Sequence, residues 1–403
     1  MSEYVFKLKN FSLPVLCWLC SLLFGFGIVN GRLTLLAIAF AIAITVLLIR
    51  KAEWENIFAI IGLILISAFL YAYYVFYKIP MMPAHIDGSI QKTGYLLKAL
   101  PVLFSYLIVF ALPEKKQKEN FFIGIASGML LFAVVNSVAT LIYLDPPYYG
   151  RAFHYFHKTE YNSPGITILA SMLPLILFCF NGYLFEIKDA WKKETIFFIT
   201  ALLVSVSISI LFSARTLFFI MTGNVIVLIL IRLWNFYSIS TRSIYYKLGI
   251  VFLALFLFIL SIYCFLKFTY IGQRVMTGVY SEKINHHIDY WQTVRNGFFV
   301  YPKITIGASF TFWYHNVFFD SHKTSGPVTA LILYGYALLV LIFAIRNSML
   351  KISSSKYYLH FYVCFIPYLA TTIPWESSES QMMTLFAGLG ALVLTATNEP
   401  DTN

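Results

Sequence analysis

The chain has 403 residues, 60% hydrophobic and only 12% charged, with a formal net charge of +11 and a mean hydropathy of +0.77. A soluble globule could not keep that much apolar surface away from water, so the composition excludes an ordinary soluble enzyme. It describes a polytopic, all-α membrane protein forming a single integral domain over 1–403.

A membrane span needs about 20 apolar residues, because in hydrocarbon every backbone polar group must be paired inside its own helix. The N-terminal MSEYVFKLKN leads into a run of that length with no small-residue cleavage pattern after it, so this run is expected to be retained as a helix. Candidate spans then follow near 11–30, 33–49, 55–77, 96–112, 121–144, 164–186, 196–212, 216–234, 248–268, 326–345, 357–373 and 382–396, twelve in all. Cys17, Cys20, Cys179, Cys264 and Cys364 all fall inside apolar runs. They read as packing residues, since a reactive thiolate needs a polar, partly exposed setting.

Short cytoplasmic loops retain Lys and Arg. With the N-terminus inside, every internal turn is basic: Arg50 and Lys51, then Lys115, Lys116 and Lys118, then Lys188, Lys192 and Lys193, then Arg232, Arg242 and Lys247, then Arg346, Lys351 and Lys356. Both termini are therefore expected to be cytoplasmic. Base also outnumbers acid on the outer side, which points to an acidic partner there or to snorkelling toward lipid headgroups. Three outer connections are substantial, at 78–95, 145–163 and 269–325, and they hold every histidine except His360. The longest is too aromatic for disorder, with Tyr290, Trp291, Phe298, Phe299, Phe310, Phe312, Trp313 and Tyr314. It is expected to fold back as short helices on the bundle, with IDYWQTVRNGFF an amphipathic turn or two.

Two short stretches carry candidate chemistry. In ILFSARTLFFI, two apolar runs are separated only by Ser213, Ala214 and Arg215, which places a guanidinium at the outer boundary of a tight hairpin. Arginine near hydrocarbon is costly unless it is paired or lines a wet cavity, and its planar fork suits phosphate. In FWYHNVFFDSHKTSGP, a polar island of His315, Asn316, Asp320, His322 and Lys323 precedes an apolar run. For His322 the alternative is a solvated loop position. His154 and His157 in HYFH have metal-ligand types, yet no third ligand stands nearby, and no metal or other cofactor is expected.

Arg215 at a short outer hairpin, RAFHYFHKTEYNSPG at a helix entry, and a long penultimate outer loop with a YW…NGF…P…G run before HN…D…SG together resemble the O-antigen polymerase and ligase superfamily. HNVFFDSHKTSGPVTALILYG is more similar to its lipid-linked repeat-unit (Wzy-type) polymerases than to its lipid A-core ligases. The resemblance runs from about Arg151 to the end. It implies a bundle of about a dozen helices, similar to GT-C-type glycosyltransferases. Such proteins work at the periplasmic face of the bacterial inner membrane on undecaprenyl-pyrophosphate-linked glycans. Two departures from the ligase pattern stand out: Phe219 occupies the leucine position after Arg215, and Asn316 rather than serine follows His315. The second loop arginine expected before the YW run is also displaced by His286 or His287, leaving Arg274 and Arg295 as candidates. Arg295 is preferred because it follows Trp291 by four positions and would share a helical face with it.

Moving a glycan from a polyprenyl pyrophosphate requires a cation for the departing pyrophosphate and a base for the acceptor hydroxyl. Arg215 and Arg295 are expected to supply the first and His315 the second. Asn316 and Asp320 would orient the imidazole or the sugar; Asp320 could instead cap the helix that Gly326 and Pro327 start. Arg151, His154, His157 and Lys158 would widen a basic funnel for the substrate, and Arg274, His322 and Lys323 would bind it. The partners implied are a lipid-linked oligosaccharide donor and acceptor, membrane lipids and a chain-length-regulating co-polymerase, with no nucleic acid. The alternatives are a ligase acting on lipid A-core and a flippase for lipid-linked sugars, although the internal repeat expected of a transporter is not visible.

Overall fold

The computed structural model describes residues 17–29, 33–49, 52, 54–74, 88–143, 170–171, 173–174, 193–211, 280–295, 297–300, 316–349 and 379–396, together with separate positions between 245 and 267. Every regular element among them is helical. These are α1 (Cys17–Val29), α2 (Thr34–Leu48), α3 (Ile57–Tyr73), α4 (Gly88–Ala111), α5 (Lys115–Tyr143), α6 (Lys193–Leu211), α7 (Tyr280–Val294), a 3-10 turn (Phe298–Val300), α8 (Val317–Ser325), α9 (Pro327–Met349) and α10 (Glu379–Leu394).

Among the described residues two segments, Asn120–Ile142 and Pro327–Asn347, are long and apolar enough to cross a membrane, and the other apolar helices there are shorter. Several observed starts differ from those expected from hydropathy. α4 begins at Gly88 rather than near 96, and α5 at Lys115 rather than 121. Apolar content marks where a helix becomes greasy, whereas the backbone becomes helical earlier, through polar residues such as GSIQKTG and KKQKEN. The candidates at 164–186, 216–234, 248–268 and 357–373 lie largely or wholly outside the described residues.

α4 lies at the centre, flanked by α2, α3 and α10; α9 packs on α3 and α10, and α8 sits on α9 and α3. The core between them is large and aromatic, with Tyr73, Tyr106, Phe69, Phe132, Tyr336 and Phe386 fully buried. Tyr106 donates its hydroxyl to the Ala59 carbonyl, and Tyr336 donates to the Ala387 carbonyl at 3.0 Å. These bonds pin α4 to α3 and α9 to α10, each tyrosine filling space with its ring while its hydroxyl finds an acceptor. The outward faces are apolar too: Leu47 is 71% exposed and Ile142 68%.

Three further bonds gather helix ends. Asn56 Nδ2 donates to Leu394 O at 3.0 Å, Asn347 Nδ2 to Val393 O at 3.0 Å, and Lys118 Nζ to Thr395 Oγ1 at 2.7 Å. The starts of α3 and α5 and the ends of α9 and α10 therefore share one end of the bundle.

The junction between α8 and α9 is set by two residues. Gly326 has φ +87°, a left-handed conformation that side chains disfavour, and its N–H bonds the His322 carbonyl at 3.0 Å to close α8. Pro327 then opens α9 at the position where its missing N–H costs nothing. Gly326→Ala should cost about 1 kcal/mol through backbone strain alone, because a Cβ there would meet open space. A lowered melting temperature would bear this out; an unchanged one would show that the junction can relax.

Candidate functional site

The polar island folds as a short buried helix. Asn316 caps α8, its Oδ1 accepting the N–H groups of Phe318 at 3.0 Å and Phe319 at 3.4 Å. Asp320 returns the bond, its Oδ2 accepting the Asn316 N–H at 3.1 Å. This is a reciprocal cap of the capping-box kind, reaching one residue further along the helix. Asp320 therefore serves the start of α8 itself, not the helix that begins at Pro327. Ser321 Oγ donates to Phe318 O at 2.9 Å, and Asn316, Asp320, Ser321 and His322 are all buried.

His322 does not stand in a solvated loop; it is fully buried. Its Nε2 lies 2.9 Å from the Phe298 carbonyl and its Nδ1 2.9 Å from the Tyr290 hydroxyl. A carbonyl only accepts, so the proton is assigned to Nε2, which leaves Nδ1 to accept the Tyr290 O–H. The imidazole also stacks on the Phe298 ring with centroids 4.0 Å apart. Burial lowers its pKa below the ordinary value, partly offset by the Phe298 carbonyl, so the ring is neutral at pH 7. His322 is thus bonded on both sides and joins α7, the 3-10 turn and α8.

Aromatic contacts complete the joint. Tyr290 stacks face to face on Phe319 with centroids 3.9 Å apart, and Trp291 and His287 meet the same ring edgewise at 5.6 and 5.3 Å. Tyr334 of α9 donates to Phe318 O at 3.1 Å. The amphipathic turn expected in IDYWQTVRNGFF is a longer helix that starts at Tyr280 and stops at Val294, where Gly297 (φ +121°) turns the chain. Arg295 follows the last turn, its N–H bonded to Trp291 O at 3.0 Å, and its side chain is exposed. Lys323 is half-buried; burial lowers its pKa while the Asp320 carboxylate opposes that change.

The structure thus brings Asn316, Asp320, His322 and Lys323 together on α8 and places the exposed Arg295 at the end of the helix docked on it. His315, Arg215, Arg151, Arg274, His154 and His157 lie outside the described residues, and so does the expected meeting of Arg215 with His315. Among the described residues no three His, Cys, Asp or Glu side chains gather as a metal site. The sequence reading missed the part played by Tyr290, Phe298 and Phe319. Tyr290 and Phe298 entered there as aromatics that argue against disorder and as letters of the YW…NGF run, with no part in holding His322. Their separations of 32 and 24 residues from His322 leave no local signal.

A family model described as "Protein of unknown function (DUF1229)" matches residues 95–232 and 237–375, which take in α7, α8 and α9. No curated protein matches the chain.

Proposed function

Given that the chain belongs to the DUF1229 family, we propose that it is a glycan polymerase of the O-antigen type. In this reading it joins undecaprenyl-pyrophosphate-linked repeat units at the periplasmic face of the inner membrane, within a GT-C-like bundle of about twelve spanning helices. The observation that carries the reading is the construction of α8. A polar, histidine-bearing helix in an apolar chain is buried, reciprocally capped and clamped to α7, directly after His315 in sequence. A rigid element is what a reacting side chain needs beside it, because small misplacements cost large factors in rate. The exposed apolar flanks and the shared end of α3, α5, α9 and α10 fit a bundle whose helices alternate in direction through lipid.

In this mechanism the acceptor hydroxyl oxygen attacks the anomeric carbon of the donor as His315 takes its proton. The bond from that carbon to the pyrophosphate oxygen breaks, and undecaprenyl pyrophosphate leaves with its added charge held by Arg215 and one loop arginine, Arg295 or Arg274. Direct attack inverts the anomeric configuration. The test uses purified full-length protein in lipid nanodiscs with lipid-linked repeat units extracted from the native host. Wild type should yield a ladder of longer lipid-linked products, and His315→Ala and Arg215→Ala should each lower its rate by about a hundredfold or more. A ladder unchanged by both substitutions would refute the assignment. Product formed only when lipid A-core is added would identify a ligase.

A further inference from the structure

The seam between α4 and α10 holds polar groups that find no partner among the described residues. Gln381 is fully buried, and neither its Nε2 nor its Oε1 has a hydrogen-bond partner there; the hydroxyls of Thr384 and Ser105 are likewise buried and unpartnered among the described residues. Helical spacing relates them. Gln381, Thr384 and Gly388 follow at intervals of three and four, so they share one face of α10. A Cβ at Gly388 would collide with the Ser105 hydroxyl, so that face is the one turned to α4. Ser105 sits where the two helices touch, and the amide of Gln381 lies two turns nearer the N-terminal end of α10.

Burying an unpaired amide is costly, and each unpaired hydroxyl adds to that cost. A native bundle keeps such groups when something else completes them. The kind of group is constrained by the side chains. The amide offers both donors and acceptors, and an anion, which only accepts, would leave Gln381 Oε1 as bare as before. A hydroxyl donates and accepts at once, and so satisfies both ends of the amide together with Thr384.

We infer that Gln381 and Thr384, with Ser105 beneath them, form a subsite for the hydroxyl groups of a saccharide. The inference rests on the glycan polymerase reading and extends it, because it assigns contacts to the sugar where that reading assigned contacts to the pyrophosphate. Water could supply the same hydroxyl chemistry, and the two sources are separated by binding.

Full-length protein in nanodiscs is titrated with two probes, the host-extracted lipid-linked repeat unit and undecaprenyl pyrophosphate carrying no sugar, while tryptophan fluorescence is followed. The variants are Gln381→Met and Thr384→Val, which keep volume and remove the polar groups. Wild type should bind the glycan-bearing lipid more tightly than the bare lipid. Each variant should lose about tenfold in affinity for the former and nothing for the latter. Their melting temperatures without ligand should equal or exceed that of wild type, since an unpaired buried group has been removed. Variants that keep the wild-type preference for the glycan-bearing lipid would overturn the subsite and leave ordered water as its occupant. Variants that melt well below wild type would overturn it too, because the polar groups would then be completed inside the protein. A wild type that binds neither lipid and builds no ladder would instead bring down the polymerase reading, and the subsite with it.

Discussion

Gly128→Val is expected to leave little folded protein, whereas Gly335→Ala, in a helix of similar character, should be harmless. α1 and α5 approach backbone to backbone. A Cβ at Gly128 would strike the Leu22 carbonyl and the Phe26 nitrogen, and a Cβ at Gly25 would strike the Ile125 carbonyl in return. Main-chain atoms inside a helix cannot step aside as a side-chain tip can, so the two helices must separate along their length. Overpacking a core usually costs about 1–3 kcal/mol, and displacing backbone falls at or above the top of that range. Separation also forfeits contacts such as the edge-on pair of Phe26 with Phe132. At Gly335 a Cβ meets nothing within contact distance, and alanine there should stabilise α9 by up to about 1 kcal/mol. Heating detergent extracts and following the monodisperse peak by size exclusion would check both. A Gly128→Ala protein that melts with wild type would show that the helices are not in this contact.

The glycine pair also shows what sequence reading could and could not reach. Gly124 and Gly128 are spaced as small-xxx-small, a pattern that lets helices in lipid pack closely. The spacing is visible in the letters, but it says nothing of the partner, and only the α1 backbone lying against it turns the pattern into a contact. Across the described residues the helical class was legible, because apolar runs bounded by polar turns leave little else for the chain to do. Helix starts were less so, since the first turns of α4 and α5 are polar and invisible to hydropathy.

Within the candidate site, the gathering of polar residues in 315–323 was legible as an oddity of composition. Its architecture was not. Asn316 and Asp320 read as groups aimed at a substrate, yet Asn316 caps the start of α8 and Asp320 accepts the Asn316 N–H. The sequence signal for that existed: Asn before an apolar run, with a carboxylate four residues on, is close to a capping box. His322 depends on Tyr290 and Phe298, which only the tertiary fold brings near. Gln381 and Thr384 were passed over because the candidate span was drawn from 382, which left the glutamine in the preceding turn, while a lone threonine in an apolar run excites no suspicion.

Acidification should loosen α7 from α8, and His322 should be the cause. Its imidazole bonds the Tyr290 hydroxyl and the Phe298 carbonyl and stacks on the Phe298 ring, so three segments meet on one side chain. Truncation by His322→Ala should cost about 3 kcal/mol, from lost aromatic packing and from loss of the bond to the Tyr290 hydroxyl. Tyr290→Phe, which keeps the Phe319 stack and loses the hydroxyl, should cost about 1 kcal/mol. The pH dependence follows from the direction of the shift. Burial lowers the pKa of His322 from its ordinary 6.5, so the undocked state takes up a proton more readily than the docked one. Docking strength therefore rises with pH between the lowered value and 6.5, is complete above 6.5, and declines as pH falls below it. With the intrinsic slowing of amide exchange at lower pH divided out, protection across residues 280–294 should fall from pH 7 to pH 5, while protection in α10 stays unchanged. In His322→Phe, which preserves the stack but cannot titrate, that loss of protection should vanish. Its persistence there would assign the acid response to another group and leave His322 a packing residue alone.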